Sequence, residues 1–126
     1  MIVGIGIDLV EIERMRLLLA RKGERALQRM FTERERTYAH THPEPERQLA
    51  ARAAAKEATY KALSGNDLAR GIGWRDVEVQ SRDDGAPHLK LYGRALQRFE
   101  ELHATSIHVS LTHSATTAIA VVVVER

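Results

Sequence analysis

Three charged residues offer the most specific chemistry in this chain. Asp8 ends the glycine-punctuated run Ile2-Val-Gly-Ile-Gly-Ile-Asp8, and Glu57 and Lys61 stand one helical turn apart in Lys56-Glu57-Ala-Thr-Tyr-Lys61. Two carboxylates and an ammonium on separate elements are what a magnesium-assisted phosphoryl transfer requires. Mg²⁺ is usually held by one or two carboxylates, with water and substrate phosphate completing its octahedron. A lysine one turn away can neutralise charge on a phosphate or a leaving oxygen. Each residue also has a plainer reading. Asp8 could cap a following helix by accepting from backbone N–H groups near Val10 or Glu11. Glu57 and Lys61 could form an exposed i,i+4 pair contributing only about 0.2–0.5 kcal/mol. On spacing alone the plainer readings lead. The functional reading stays open because a carboxylate on an apolar strand is costly unless paired or metal-bound.

Other polar groupings carry less. His108, Ser110 and Thr112 share one face of an alternating segment, with His113 at its end. No Gly-x-Ser-x-Gly elbow accompanies them, so this is first a plain polar strand face and, if functional, one that suits phosphate or ribose binding better than nucleophilic attack. His40-Thr-His42 lacks a third ligand at useful spacing for zinc. No Walker loop or GxGxxG occurs, and Gly71-Ile-Gly73 lacks the further glycine and helix.

The elements that must position these residues follow from periodicity. Residues 2–8 alternate Ile2, Gly4, Gly6, Asp8 against Val3, Ile5, Ile7, a strand with one apolar and one nearly bare face. The bare face would let another backbone come close. Leu9 to Arg21 has helical spacing through Ile12, Met15, Leu18 and Leu19, and a second short helix, Glu24–Met30, follows Gly23. Thr32-Glu-Arg-Glu35 fits a capping box opening a helix to about His40. Pro43 and Pro45 mark a break. The alanine-rich stretch from Glu46 to Ser64 has no internal glycine or proline and gives the strongest helix signal, ending at Gly65. Ala51, Ala55, Ala58 and Ala62 form a small-residue stripe suited to a sheet. Val77–Ser81 and His88–Tyr92 flank a hairpin turn, Gly93–Ala104 is an amphipathic helix, and Ile107, Val109 and Leu111 alternate in a strand. The final strand, Thr117–Glu125, is an unbroken apolar run that predicts burial on both faces and a place at a subunit interface. Helices and strands segregated in this way predict an α+β fold, one domain over residues 1–126, with a mostly antiparallel sheet against the long alanine-rich helix.

Composition bounds the rest. At 126 residues and 44% hydrophobic, the chain suits a single core. With no cysteine, disulfides and thiolate chemistry are excluded. The longest apolar run, Ala118–Val124, falls far short of the ~20 residues of a membrane span. Met1 leads straight into a strand pattern, so a cytoplasmic location is the expectation. Net charge is only +2, yet Arg14, Arg16, Arg21, Lys22, Arg25 and Arg29 crowd one early segment. Such a stripe attracts phosphates or an acidic partner, or is simply a solvated helix face. Few aromatics are interleaved, which argues against nucleic-acid binding.

Four segments occur in a telling order: Gly4-Ile-Gly-Ile-Asp8-Leu-Val-Glu11, Phe31-Thr-Glu-Arg-Glu35, Arg52-Ala-Ala-Ala-Lys56-Glu57-Ala-Thr-Tyr-Lys61 and His108-Val-Ser-Leu-Thr-His113. With the Asp84-Gly85-Ala86-Pro87 turn, they resemble the holo-acyl-carrier-protein synthases, the small stand-alone 4′-phosphopantetheinyl transferases. The resemblance spans nearly the whole chain. It implies the 4′-phosphopantetheinyl transferase-like fold and a Mg²⁺-dependent transfer from coenzyme A to a serine of apo-acyl carrier protein, leaving 3′,5′-ADP. It further implies that Asp8 and Glu57 ligate the metal, that Lys61 lies near the reacting phosphate, and that Arg52, Gly85, Pro87 and His108 line the coenzyme site. A homotrimer with active sites shared between subunits is implied as well, with the basic early helix docking the acidic carrier through Arg14 and Arg21. Two positions depart from the family pattern: Ala53 where Phe or Trp is common, and Ala86 where Lys is frequent. A different class of reading is a non-catalytic basic module that recruits an acidic protein or RNA, and a second enzymatic one is a metal-dependent phosphohydrolase.

Overall fold

The glycines of the first strand decide how closely the molecule packs. In the computed structural model, which describes all 126 residues, β1 spans Ile2–Glu11 and α3, the long helix, spans Pro45–Ala62. A Cβ at Gly6 would lie 1.9 Å from the Ala58 carbonyl oxygen, and one at Gly4 would lie 2.0 Å from that of Ala62. Helix and strand backbones therefore touch directly, as the bare face of the strand predicts. Pro45 sits at the first turn of α3, where its missing N–H costs nothing.

The strand is longer than its alternation predicts. Leu9, Val10 and Glu11 pair with Ile119, Ala118 and Thr117 of β5 (Thr117–Glu125), so the following helix, α1 (Ile12–Met30), begins only at Ile12. Pairing with a distant strand outweighs the local helical spacing of Leu9–Glu11. Gly23, at φ 57°, breaks α1 into the two pieces expected. The short α2 (Glu33–His40) opens on a complete capping box: Glu35 N–H donates to Thr32 Oγ1 at 3.3 Å and Thr32 N–H to Glu35 Oε1 at 2.9 Å.

β5 is the centre of a three-stranded antiparallel sheet in the order β1-β5-β4, with β4 at Ser106–His113. The hairpin of β2 (Val77–Ser81) and β3 (Pro87–Leu91) forms a second, two-stranded sheet. Between α3 and β2 lie a short helix, α4 (Asp67–Arg70), and a 3₁₀ turn, Trp74–Asp76, neither of which periodicity indicates. α5 (Gly93–Glu101) ends sooner than its amphipathic pattern suggests. The α+β class and the antiparallel sheet against an alanine-rich helix are as expected.

The main core lies between α3 and the sheet, where Ala54, Ala55, Ala58 and Ala62 meet Ala120, Val122 and Val124. Small side chains on the helix let the two layers sit close. β5 does not bury both faces within one chain: Ala118, Ala120, Val122 and Val124 are buried, whereas Ile119, Val121 and Val123 are half-buried. That second face continues across the sheet, where Ile5, Ile7 and Leu9 are 64%, 61% and 55% exposed. No helix is long and apolar enough to cross a membrane.

Candidate active site

Because β1 and α3 touch, the strand face bearing Gly4 and Gly6 also directs Asp8 toward the helix. Lys61 Nζ lies 3.0 Å from Asp8 Oδ1 and donates to the Ile7 carbonyl oxygen, also at 3.0 Å. Asp8 thus caps no helix; it lies inside the strand, three residues short of α1, and answers a lysine from α3. Nor does Lys61 pair with Glu57 along the helix, because the tertiary contact supplies a nearer partner.

Glu57 shares a cleft of about 360 Å³ with Asp8; Arg14, Ala53, Met30 and Trp74 also line it. Burial raises the pKa of Glu57 above its ordinary value, and the negative charge of Asp8 raises it further, while Lys61 pulls it partly back. The site therefore holds two carboxylates whose like charges feel each other. A divalent cation between them would relieve that cost. Nowhere do three or more acidic, histidine or cysteine residues gather as a closed metal cluster. Two hard oxygen ligands with room for water and phosphate fit Mg²⁺.

Other expected site residues lie elsewhere in the chain. Arg52 is 4% exposed, and its guanidinium is stacked 4.2 Å over the Tyr38 ring. Its Nη1 is 3.4 Å from both the carbonyl oxygen and the side-chain oxygen of Gln48, and its Nε has no partner. Burial pulls its pKa below that of a free guanidinium, against the opposing pull of Tyr38 and Glu35. Gly85 and Pro87 are at the tip of the β2–β3 hairpin, where Gly85 adopts φ 87° and donates to the Arg82 carbonyl at 2.8 Å. His108 is on the exposed face of β4, its Nε2 2.6 Å from Glu125 Oε1. A single chain therefore brings Asp8, Glu57 and Arg14 into one cleft, with Lys61 held against Asp8, and leaves Arg52, Gly85, Pro87 and His108 outside that cleft.

The basic stripe of α1 divides. Lys22, Arg25 and Arg29 line a groove of about 710 Å³ with Leu18, Met30 and Trp74. Arg14 faces the carboxylate cleft, and Arg21 is exposed outside both.

Sequence reasoning missed Trp74 and the ion pair of Glu35 with Lys56. Trp74 lines the carboxylate cleft, the basic groove and an apolar recess of about 200 Å³ beside Glu57. It lies in a loop that shows no periodicity, so nothing marked it. Glu35 and Lys56 are both buried, 2.8 Å apart. The capping box accounts for Glu35 so fully that its second task left no signal.

Comparison with known proteins agrees with this picture. The sequence model of the 4′-phosphopantetheinyl transferase superfamily matches residues 4–122. The holo-[acyl-carrier-protein] synthase of Alkalilimnicola ehrlichii is 48% identical over 126 residues, covering 99% of this chain and 98% of that protein. The fold superposes on the crystal structure of holo-[acyl-carrier-protein] synthase from Neisseria meningitidis with a TM-score of 0.88 at 27% identity, covering 100% of both chains. A holo-(acyl-carrier-protein) synthase from Bacillus anthracis in complex with CoA (3′,5′-ADP) superposes with a TM-score of 0.78 at 34% identity, over 99% of this chain and 97% of that one. The chain belongs to the 4′-phosphopantetheinyl transferase superfamily.

Proposed function

We propose that this protein transfers 4′-phosphopantetheine from coenzyme A to a serine of apo-acyl carrier protein, leaving 3′,5′-ADP, with the Asp8–Glu57 cleft as its reaction centre. The observation that carries this reading is the meeting of Asp8, Glu57 and Lys61 at the β1–α3 contact in a chain of this family. The serine oxygen attacks the β-phosphorus of coenzyme A, and the bond to the bridging oxygen breaks, releasing 3′,5′-ADP. Asp8 and Glu57 would hold Mg²⁺, which when bound supplies charge neutralisation at the pyrophosphate. Lys61, held beside Asp8, is placed to offset charge on the transferring phosphate or the leaving oxygen. A water held beside Glu57 is the group placed to relay the serine proton.

The remaining roles follow the same reading. Arg52, Gly85, Pro87 and His108 bind the nucleotide end of coenzyme A, and their dispersal in one chain is accounted for by a homotrimer whose sites lie between subunits. The exposed apolar face of β1 and β5 supports that assembly. Carrier docking falls to α1, with Arg14 beside the carboxylates and Arg21 further out. The location is cytoplasmic. The deciding experiment incubates the protein with Mg²⁺, coenzyme A and apo-carrier and weighs the carrier. A mass gain of one phosphopantetheine, lost in EDTA, is expected. An unchanged carrier mass sinks the reading, and phosphopantetheine released to water without carrier would make the protein a hydrolase.

A further inference from the structure

Behind the cleft, α3 carries a charge that the transfer chemistry does not use. Lys56, the residue before Glu57, is 3% exposed and takes no part in lining the Asp8–Glu57 cleft. Its ammonium lies 2.8 Å from Glu35 Oε1, donates to the Trp74 carbonyl oxygen at 2.8 Å, and donates to the Val77 carbonyl oxygen. An ammonium has three donors, and these partners use all of them. Glu35, 0% exposed, is equally saturated: it accepts from Thr32 N–H at 2.9 Å, from Val79 N–H at 2.8 Å and from Lys56. One ion pair thus ties α3 to the start of α2, the 3₁₀ turn and β2.

Stability alone does not account for it. Well-packed apolar residues of similar volume often serve a core as well as a buried ion pair does, or better. What apolar residues cannot do is grip a main-chain carbonyl at a set place. The carbonyl gripped here belongs to Trp74, the wall common to the carboxylate cleft, the recess beside Glu57 and the basic groove.

We propose that the buried Glu35–Lys56 pair is a positioning device for the active site: by clamping the Trp74 main chain it sets that wall against Glu57 and fixes the turn of α3 that carries Glu57 toward Asp8. Neither residue lines the Asp8–Glu57 cleft, and Lys56 borders only the recess behind Glu57. The catalytic half of the inference rests on the transferase reading above; the clamp on Trp74 does not.

Trp74 is the only tryptophan in the chain, so its fluorescence reports the wall directly. The paired variant Glu35→Gln/Lys56→Met removes both charges at nearly constant volume. It is expected to melt cooperatively, to show red-shifted Trp74 emission with greater acrylamide quenching, and to lose about 10- to 100-fold in kcat, as supporting residues around metal ligands do. KM for coenzyme A is expected to stay within about twofold, since the lost interaction acts in the transition state. Lys56→Arg alone keeps both charges with different donor geometry and is expected to fall between the wild type and the paired variant in both signals. Wild-type emission and wild-type kcat per folded molecule, whatever the loss in Tm, would overturn the proposal, and so would a fall in kcat with unmoved emission. If the paired variant does not fold, the ¹⁵N resonance of the Lys56 ammonium in the wild-type protein decides. It is expected to shift when coenzyme A and Mg²⁺ fill the cleft, and no shift overturns the coupling. Were the chain not a transferase, no variant would have a kcat to compare, and the emission would still decide the clamp.

Discussion

Lys61 chooses Asp8 over Glu57, and that choice gives the two carboxylates different expected failures. Asp8 has its charge answered at 3.0 Å, whereas Glu57 bears burial and the like charge of Asp8 with only partial relief. Asp8→Asn and Glu57→Gln are each expected to lower kcat at least ~100-fold, because charge stabilisation by a bound cation is worth several kcal/mol and each ~1.4 kcal/mol is tenfold. Their melts should part. A carboxylate whose pKa is raised in the fold prefers to be neutral there, so Glu57→Gln at neutral pH holds or raises Tm, while Asp8→Asn strips Lys61 of its partner and lowers it. Steady-state kinetics beside thermal melts check both halves, and near-wild-type turnover in either variant removes the metal-site reading. Lys61→Ala should reduce kcat more than it weakens coenzyme A binding. The identities of all three residues were legible in the sequence, but their pairing was not. Helical spacing favours Glu57–Lys61, and only the long-range approach of β1 reveals the competing partner.

At the scale of elements, the site depends on how near a strand and a helix can come. Gly6→Ala would place a methyl 1.9 Å from the Ala58 carbonyl oxygen, and backbone cannot yield as a flexible side chain does. It is expected to cost about 1–3 kcal/mol as overpacking and to lower turnover by parting Asp8 from Glu57, measured by denaturant melts and kinetics on the same sample. The hairpin is anchored differently. Glu78 on β2 is pushed up in pKa by burial, but hydrogen bonds from Thr32, Gln80 and Tyr92, with the charge of Arg34, bring it below the ordinary carboxylate value. A depressed carboxylate stabilises the fold above its unfolded pKa and loses that contribution as pH falls through its folded pKa. Glu78→Gln should therefore lower Tm at neutral pH, with the gap to wild type closing as the solution is acidified below the usual carboxylate range. An unchanging gap would mean that the bonds, not the charge, matter. Elements governed by local rules were legible: the capping box at Thr32, the hairpin, the alanine-rich helix and the break at Gly23. Leu9–Glu11 were not, because β5 recruits them across more than a hundred residues of chain, and α4 is held by an Asn66 cap and the 3₁₀ turn by Asp76 accepting from Gly73 N–H, rather than by any apolar period.

For the whole molecule, the apolar run of β5 points outward from the single chain. One face of the strand is consumed by α3; the other joins Ile5, Ile7 and Leu9 on β1 and runs on to His108, Ser110 and Thr112 on β4, paired in register through Val123, Val121 and Ile119. A contiguous apolar surface of this kind marks an interface, and here it abuts the polar strand face expected to meet coenzyme A. In the proposed trimer, covering this surface and completing the site are one event. Ile5→Glu places a charge in the middle of it without touching Asp8 or Glu57, and light scattering should show the mass fall from three times 14.2 kDa to one, with activity lost in step. Complementation tests the sharing itself. Asp8→Asn and His108→Ala are each expected to be nearly inactive as pure trimers. Refolded together, they form mixed trimers, and if Asp8 and His108 serve a common site from different subunits, some sites regain both native residues and turnover returns. If both residues act within one subunit, every site in the mixture carries a defect and no activity returns.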